Sequence, residues 1–175
     1  MWLNATILGL VTLQRLVELM ISRRNTNRLI ARGAEEVAGG HYVLIVALHA
    51  IWLGGLWFLV WNRPVDWTWL FAFLVLAAAR GWVIAALGEY WTTRIIVTPD
   101  EPLVESGPYR YLRHPNYLVV ACEIFILPMV FGLFWYALAF SILNAAILAW
   151  RIRAEEGALR HKRKAQLPEA SSGIE

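Results

Sequence analysis

Long apolar runs, broken by short stretches that hold nearly all the charge, constrain this chain more than any other feature. Apolar residues make up 59% of its 175 residues and charged residues only 17%. Soluble domains run at about 45–50% and about 25%. A helix that crosses a bilayer needs roughly 20 mostly apolar residues. Five stretches suit that requirement or come near it, at about 2–21, 42–61, 67–87, 117–131 and 134–150. The expected fold class is an all-α integral membrane protein, one domain over residues 1–165 with a polar, frayed tail over 166–175. The ten tryptophans fit the same reading, because aromatic rings settle at the headgroup level.

Charge placement sets an expected orientation. The first loop, the third loop and the tail carry thirteen Lys and Arg, against one, Arg63, in the second loop. Basic loops stay on the cytoplasmic side, so five spans put the N-terminus outside and the C-terminus in the cytoplasm. The inner membrane of a bacterium is the expected location. The first run reads as a retained helix, since Met1 to Asn4 carry no positive charge and no small-residue cleavage site precedes Arg23 and Arg24. The net charge of +3 reads as a topology signal, with no basic-aromatic groove for nucleic acid. The single cysteine, Cys122, excludes an internal disulfide and a cysteine-based zinc site; no metal is expected.

Polar residues inside the runs need reasons, because a charge at mid-bilayer costs about 2.5–3.5 kcal/mol on insertion scales. Gln14, Arg15 and Glu18 lie three and four residues apart, so a local pair is expected, with Arg15 snorkelling toward the inner interface. Arg80 reads alike. His41 and His49 read as packing or interface residues. Ala77, Gly81 and Ala85 form a small-residue stripe expected to pack a neighbouring helix. Glu123 has no basic residue within four positions, so it is expected to face the bundle interior. Asn144, Arg151 and Glu155 share one face of the last helix, with Glu156 beside them.

The third loop holds the most specific segment. Arg94 to Val97 reads as a strand, 98–102 as a turn and 103–105 as a returning strand, a short β-like element before the last helical hairpin. Then comes Gly107-Pro108-Tyr109-Arg110-Tyr111-Leu112-Arg113-His114-Pro115-Asn116-Tyr117. Pro115 forces His114 out of the α region and suits the first helical position. Unpaired backbone N–H groups then face the interface beside Arg113 and His114, a ready site for a carboxylate. The chain lacks a Gly-x-Gly-x-x-Gly run after a strand, so a Rossmann-type nucleotide site is not expected.

This segment, followed by Glu123 and by Arg151-Ile152-Arg153-Ala154-Glu155-Glu156, resembles the isoprenylcysteine carboxyl methyltransferase family. The resemblance runs from about Arg94 to Leu159 and is closest to a short bacterial branch that includes alkylpyrone and alkylresorcinol O-methyltransferases. It implies S-adenosylmethionine as methyl donor, with S-adenosylhomocysteine as product. The donor pocket implied by the match comprises Arg113, His114, Pro115, Tyr117, Leu118 and Glu155. Arg151 and Glu156 fall at the methyl-transfer point, and Glu123 and Asn144 are assigned to the acceptor. The eukaryotic enzymes have more spans and a Gly where Leu118 and Val119 follow Tyr117 here. These departures point from prenylcysteine toward a lipid-like hydroxyl or acid. Phospholipid N-methylation, or a non-catalytic lipid-binding subunit, are the alternatives.

Overall fold

The computed structural model describes residues 2–37, 40–97 and 106–166, without the side chains of 37, 40, 41, 97, 154–156 and 158–166. The expected turn and returning strand at 98–105, the His41, Glu155 and Glu156 side chains, and the tail beyond 166 lie outside the described residues. Five helices run in chain order: α1 (Trp2–Ala31), α2 (Gly40–Leu59), α3 (Trp67–Leu87), α4 (Pro115–Met129) and α5 (Phe134–Gln166). Two short strands, β1 (Glu35–Val37) and β2 (Ile95–Val97), pair antiparallel with Glu36 opposite Ile96. The strand expected at 94–97 forms over Ile95–Val97, and its described partner comes from the first loop.

Four helices, α1, α2, α3 and α5, are long and apolar enough to cross a membrane. The fifth expected span, α4, is only 15 residues, about 22 Å at 1.5 Å per residue. Both its ends are chemically set. Pro115 opens it. At the other end Gly132 takes φ 68°, a left-handed turn that suits glycine, while the Leu133 N–H donates to Pro128 O at 3.1 Å. That turn leads straight into α5, the tight hairpin expected from Gly132-Leu133.

A bond from the Asp66 N–H to Val130 O (2.8 Å) sets the start of α3 level with this turn. Asp66 also caps α3 through Oδ1, which accepts from the Thr68 and Trp69 N–H groups. Asn4 joins the same end, donating to Val60 O and Arg63 O at 2.6 and 2.9 Å. From that common level the 21 residues of α3 reach about 31 Å, so α4 begins about 9 Å short of the opposite face. We call the two faces the turn end and the sheet end.

The helices form a ring in the order α1, α2, α5, α4, α3. Toward the turn end it is filled by Leu8, Trp52, Leu56, Phe73, Ile124, Leu127 and Phe131, among others. α1 changes character along its length. Its buried positions recur every three or four residues, from Leu8 and Val11 to Glu18, Ser22 and Asn25. At 30 residues it outreaches a bilayer core of about 30 Å. Near the sheet end Ser22 bonds Thr93 (2.7 Å), and Asn25 donates to Gly88 O and Trp91 O (3.1 and 2.9 Å).

The small-residue stripe does not pack inside the chain. Gly81 and Ala85 are exposed and Ala77 is half-buried, while Phe73, Arg80 and Val83 form the buried face of α3. Arg80 reaches its carboxylate partners Glu18 and Glu123 only from that face, and buried hydrogen bonding and packing set which side of a membrane helix turns inward.

Candidate functional site

The recessed start of α4 gathers three of the expected site residues. His114 sits outside the α region (φ −132°, ψ 60°) with Pro115 at the first helical position, as the His-Pro pair requires. The His114 ring stacks on Tyr117 at 5.3 Å and 15°. From α5, Arg151 donates through Nε to Tyr117 Oη at 2.9 Å, with its guanidinium carbon 5.4 Å from the ring centre. Arg151 is buried. Asn116, between Pro115 and Tyr117, keeps Oδ1 buried without a hydrogen-bond partner among the described residues. Pro115 is buried, whereas Arg113 and Leu118 are exposed and stand outside this trio. The backbones of Glu155 and Glu156 continue α5 one turn beyond Arg151.

The Gly107-Pro108 turn rests on the sheet end of α3. A Cβ on Gly107 would stand 3.0 Å from Ala86 Cβ, and its φ is +58°, so glycine is required twice over. This turn carries the chain under α3 toward the start of α4. Alongside, Arg94 donates to Glu36 at 2.6 Å and lies 4.6 Å from the Tyr42 ring centre. The hydrogen bond to Glu36 pushes the Arg94 guanidinium pKa up, and the Arg94–Tyr42 contact links the sheet to α2.

Deeper in the ring lies a second polar assembly. Glu18 accepts from Arg80 through both oxygens, Nε at 2.6 Å and Nη2 at 2.7 Å, the fork geometry that suits a guanidinium. It also accepts from Gln14 (3.0 Å) and Arg15 Nη1 (3.1 Å). Glu123 Oε2 accepts from Arg15 Nη2 at 2.8 Å and Arg80 Nη1 at 3.1 Å. The local pairs expected within α1 therefore form, but Arg15 does not snorkel. It crosses the ring to Glu123, because a buried carboxylate is a better partner than the interface several turns away. Arg80 is the hub. His49 bonds Ile45 O through Nδ1 at 2.8 Å and meets Trp52 edge-on, a packing role as expected.

Asn144 is 2% exposed, two turns before Arg151 on the same face of α5. Sequence reasoning flagged Glu123 and Asn144 but did not join Glu123 to Arg15 and Arg80, which lie 108 and 43 residues away. The available signal was charge balance: the four ionised residues inside the expected spans before Arg151 are two Arg and two Glu.

A model of the isoprenylcysteine carboxyl methyltransferase (ICMT) family matches residues 69–161. The chain belongs to that family. The match contains Arg80, α4, α5 as far as residue 161 and every residue of the His114–Tyr117–Arg151 trio. Membership makes the chain a membrane methyltransferase, of a kind that typically uses S-adenosylmethionine. Two bacterial proteins are similar over most of their length. The uncharacterized protein YpbQ of Bacillus subtilis (strain 168) is 35% identical over 159 residues, 88% of this chain and 95% of the relative. An uncharacterized protein of Haemophilus influenzae is 31% identical over 160 residues, 84% of this chain and 89% of the relative. No solved structure matches the chain.

Proposed function

We propose that this member of the family transfers the methyl group of S-adenosylmethionine to an oxygen, carboxylate or hydroxyl, of a lipid-like acceptor. The reading rests on one observation: within the family-matched segment, the chain seats His114, Tyr117 and Arg151 together at a helix start recessed about 9 Å from the sheet end. A water-soluble donor and a bilayer-borne acceptor can meet there. Charge placement supports a cytoplasmic sheet end, with the N-terminus outside.

The donor's sulfonium supplies an activated methyl, so the chain mainly has to align the two partners. The residues present fit such a donor. The start of α4 offers backbone N–H groups for its carboxylate. The orphaned Asn116 Oδ1 suits an amino or hydroxyl hydrogen. His114, Pro115 and Tyr117 would wall the pocket, with Arg113 and Leu118 at its edge and Glu155 toward the donor's ammonium or ribose. Arg151, held by Tyr117, would orient an anionic oxygen, and Glu156 would take a proton where the acceptor is a hydroxyl. Glu123 and Asn144 would face the acceptor.

The test is methyl transfer in nanodiscs with labelled donor and total bacterial lipid. Label in a base-labile ester or an ether, lost in Arg151→Ala with S-adenosylhomocysteine still bound, supports the reading. Label in phosphatidylethanolamine derivatives would make the chain an N-methyltransferase instead. Absence of S-adenosylhomocysteine binding to the wild type would point to a non-catalytic lipid-binding subunit.

A further inference from the structure

The two sides of the ring differ in hydrophobic length. On α1, exposed apolar side chains run from Trp2 to Ile21, and the exposed Arg23 and Arg24 follow. That stretch is about 29 Å long, which matches a bilayer core of about 30 Å. α2, next in the ring, has 20 residues and a similar reach.

The α3–α4–α5 side is shorter, and its three helices agree on the length. Trp67 and Trp82 are both exposed on α3, and so are Trp135 and Trp150 on α5. Each pair is 15 residues apart, about 22 Å, and α4 is itself 15 residues long. Trp67 and Trp135 belong to the turn end, where Asp66 N–H bonds Val130 O and α5 begins. Trp82 and Trp150 belong to the level where α4 starts. A Cβ on Gly107 would stand 3.4 Å from Trp82 Nε1, and Trp150 adjoins Arg151, which bonds Tyr117. Past Trp82, Ala85 is the one exposed residue left in α3, because the Gly107 turn lies against that end of the helix. Past Trp150 comes the exposed Arg153, and before α4 come the exposed Arg110, Tyr111 and Arg113. Trp and Tyr rings settle at the headgroup level, and Arg side chains reach for it. This side therefore asks for headgroups about 8 Å nearer the turn end than α1 does.

A short hydrophobic side is met by thinning of the bilayer, by tilt or by association. Tilt toward the short side would sink Trp67 and Trp135 below the headgroups at the turn end. A symmetric second copy on this side would bring its exposed arginines against the same arginines. We propose that the α3–α4–α5 face binds a locally thinned bilayer, in which the phospholipid headgroups of the sheet-end leaflet come down about 8 Å to the start of α4. The partner is phospholipid: Arg113 and Arg153 take its phosphates, and Trp82 and Trp150 lie at its glycerol level. The recess of His114, Tyr117 and Arg151 then opens at headgroup depth. Nothing in this proposal depends on which group is transferred there.

The test measures depth in the full-length protein in dioleoyl phosphatidylcholine vesicles. Nitroxides are placed one at a time, through Leu16→Cys, Ala78→Cys and Ala146→Cys in a Cys122→Ser background. All three positions are exposed, and they lie at about the same height above the turn end, roughly 17–18 Å by helix rise. Depth is read from the contrast between relaxation by oxygen and by a water-soluble nickel chelate. A bilayer of uniform thickness would give the three labels equal depth. Thinning should bring the Ala78 and Ala146 labels nearer the headgroups than the Leu16 label by about 8 Å. A difference smaller than one helical turn, about 5 Å, overturns the proposal. So does a Trp135→Cys label that sits more than a turn below the turn-end headgroups, which would assign the mismatch to tilt. Labels at Ala78 and Ala146 shielded from oxygen would give the face to a second copy of the chain and overturn it too. The two face positions lie on different helices, so the test stays readable where one variant fails to fold.

Discussion

The turn-end half of the ring and the sheet-end half are made by the same five helices on different principles. The turn end is an apolar plug in which Leu56, Leu127 and Phe131 are wholly buried. The sheet-end half holds Glu18, Arg80, Glu123, Asn144 and Arg151, all buried and all polar. In lipid, apolar side chains gain little by leaving the bilayer for a protein interior, so packing and hydrogen bonding carry helix association. The plug therefore has one use, to hold five helices at a common level. The polar half has another. It keeps groups that a bilayer disfavours, among them Arg151, which the proposed methyl transfer uses. The difference teaches that most of the apolar packing and most of the buried charge are stacked along the membrane normal, with Asn4 at the turn end and Val83 and Trp91 at the sheet end as exceptions.

The largest test of that division is Arg80→Ala. Removing the hub leaves two buried carboxylates poorly compensated, a loss of about 3–5 kcal/mol, read as a fall in thermal midpoint in nanodiscs. The double variant Arg80→Leu with Glu18→Leu should recover part of it; a double variant no better than the single would show that the cluster is not a buried ion network. Next comes Leu127→Ala in the plug, expected to cost about 2–5 kcal/mol while S-adenosylhomocysteine affinity in the folded protein stays within about twofold. A larger change in donor affinity would show the halves are coupled.

Tyr117→Phe reverses the pattern. It deletes the hydroxyl that holds Arg151, so methyl transfer should fall about 10-fold or more with little change in thermal midpoint. An unaltered rate would mean that Arg151 needs no positioning by Tyr117. The smallest effect is expected of Asn4→Ala, which removes two hydrogen bonds at the turn end. It should cost about 1–2 kcal/mol of stability and leave transfer rates in the folded fraction unaltered.

Much of the scaffold was legible in the residue order. Helix positions follow from apolar runs, and the α4–α5 hairpin from Gly132. The bend at His114-Pro115 follows from proline sterics. Two features were not legible. The outward turn of Gly81 and Ala85 depends on which face of α3 meets α4. The strand at 35–37 pairs with 95–97 across two helices, and Glu35-Glu36-Val37 carries no alternation that would announce it.

By itself, the sequence determined that this chain lives in a membrane, that its charge is kept mostly to a few loops, and that one His-Pro junction and one Arg-bearing helix face carry its resemblance to its family. Those are local properties: hydropathy, proline geometry and residue spacing act within a few turns. Only the tertiary structure decided that Arg15 and Arg80 close on Glu123 and that Asn144 is buried. The same structure sets Tyr117 between His114 and Arg151 below the membrane face. Such contacts depend on how helices far apart in sequence are levelled against one another. In this chain that levelling is done by buried hydrogen bonds at the turn end, such as those of Asn4 and Asp66, whose partners no sequence pattern names.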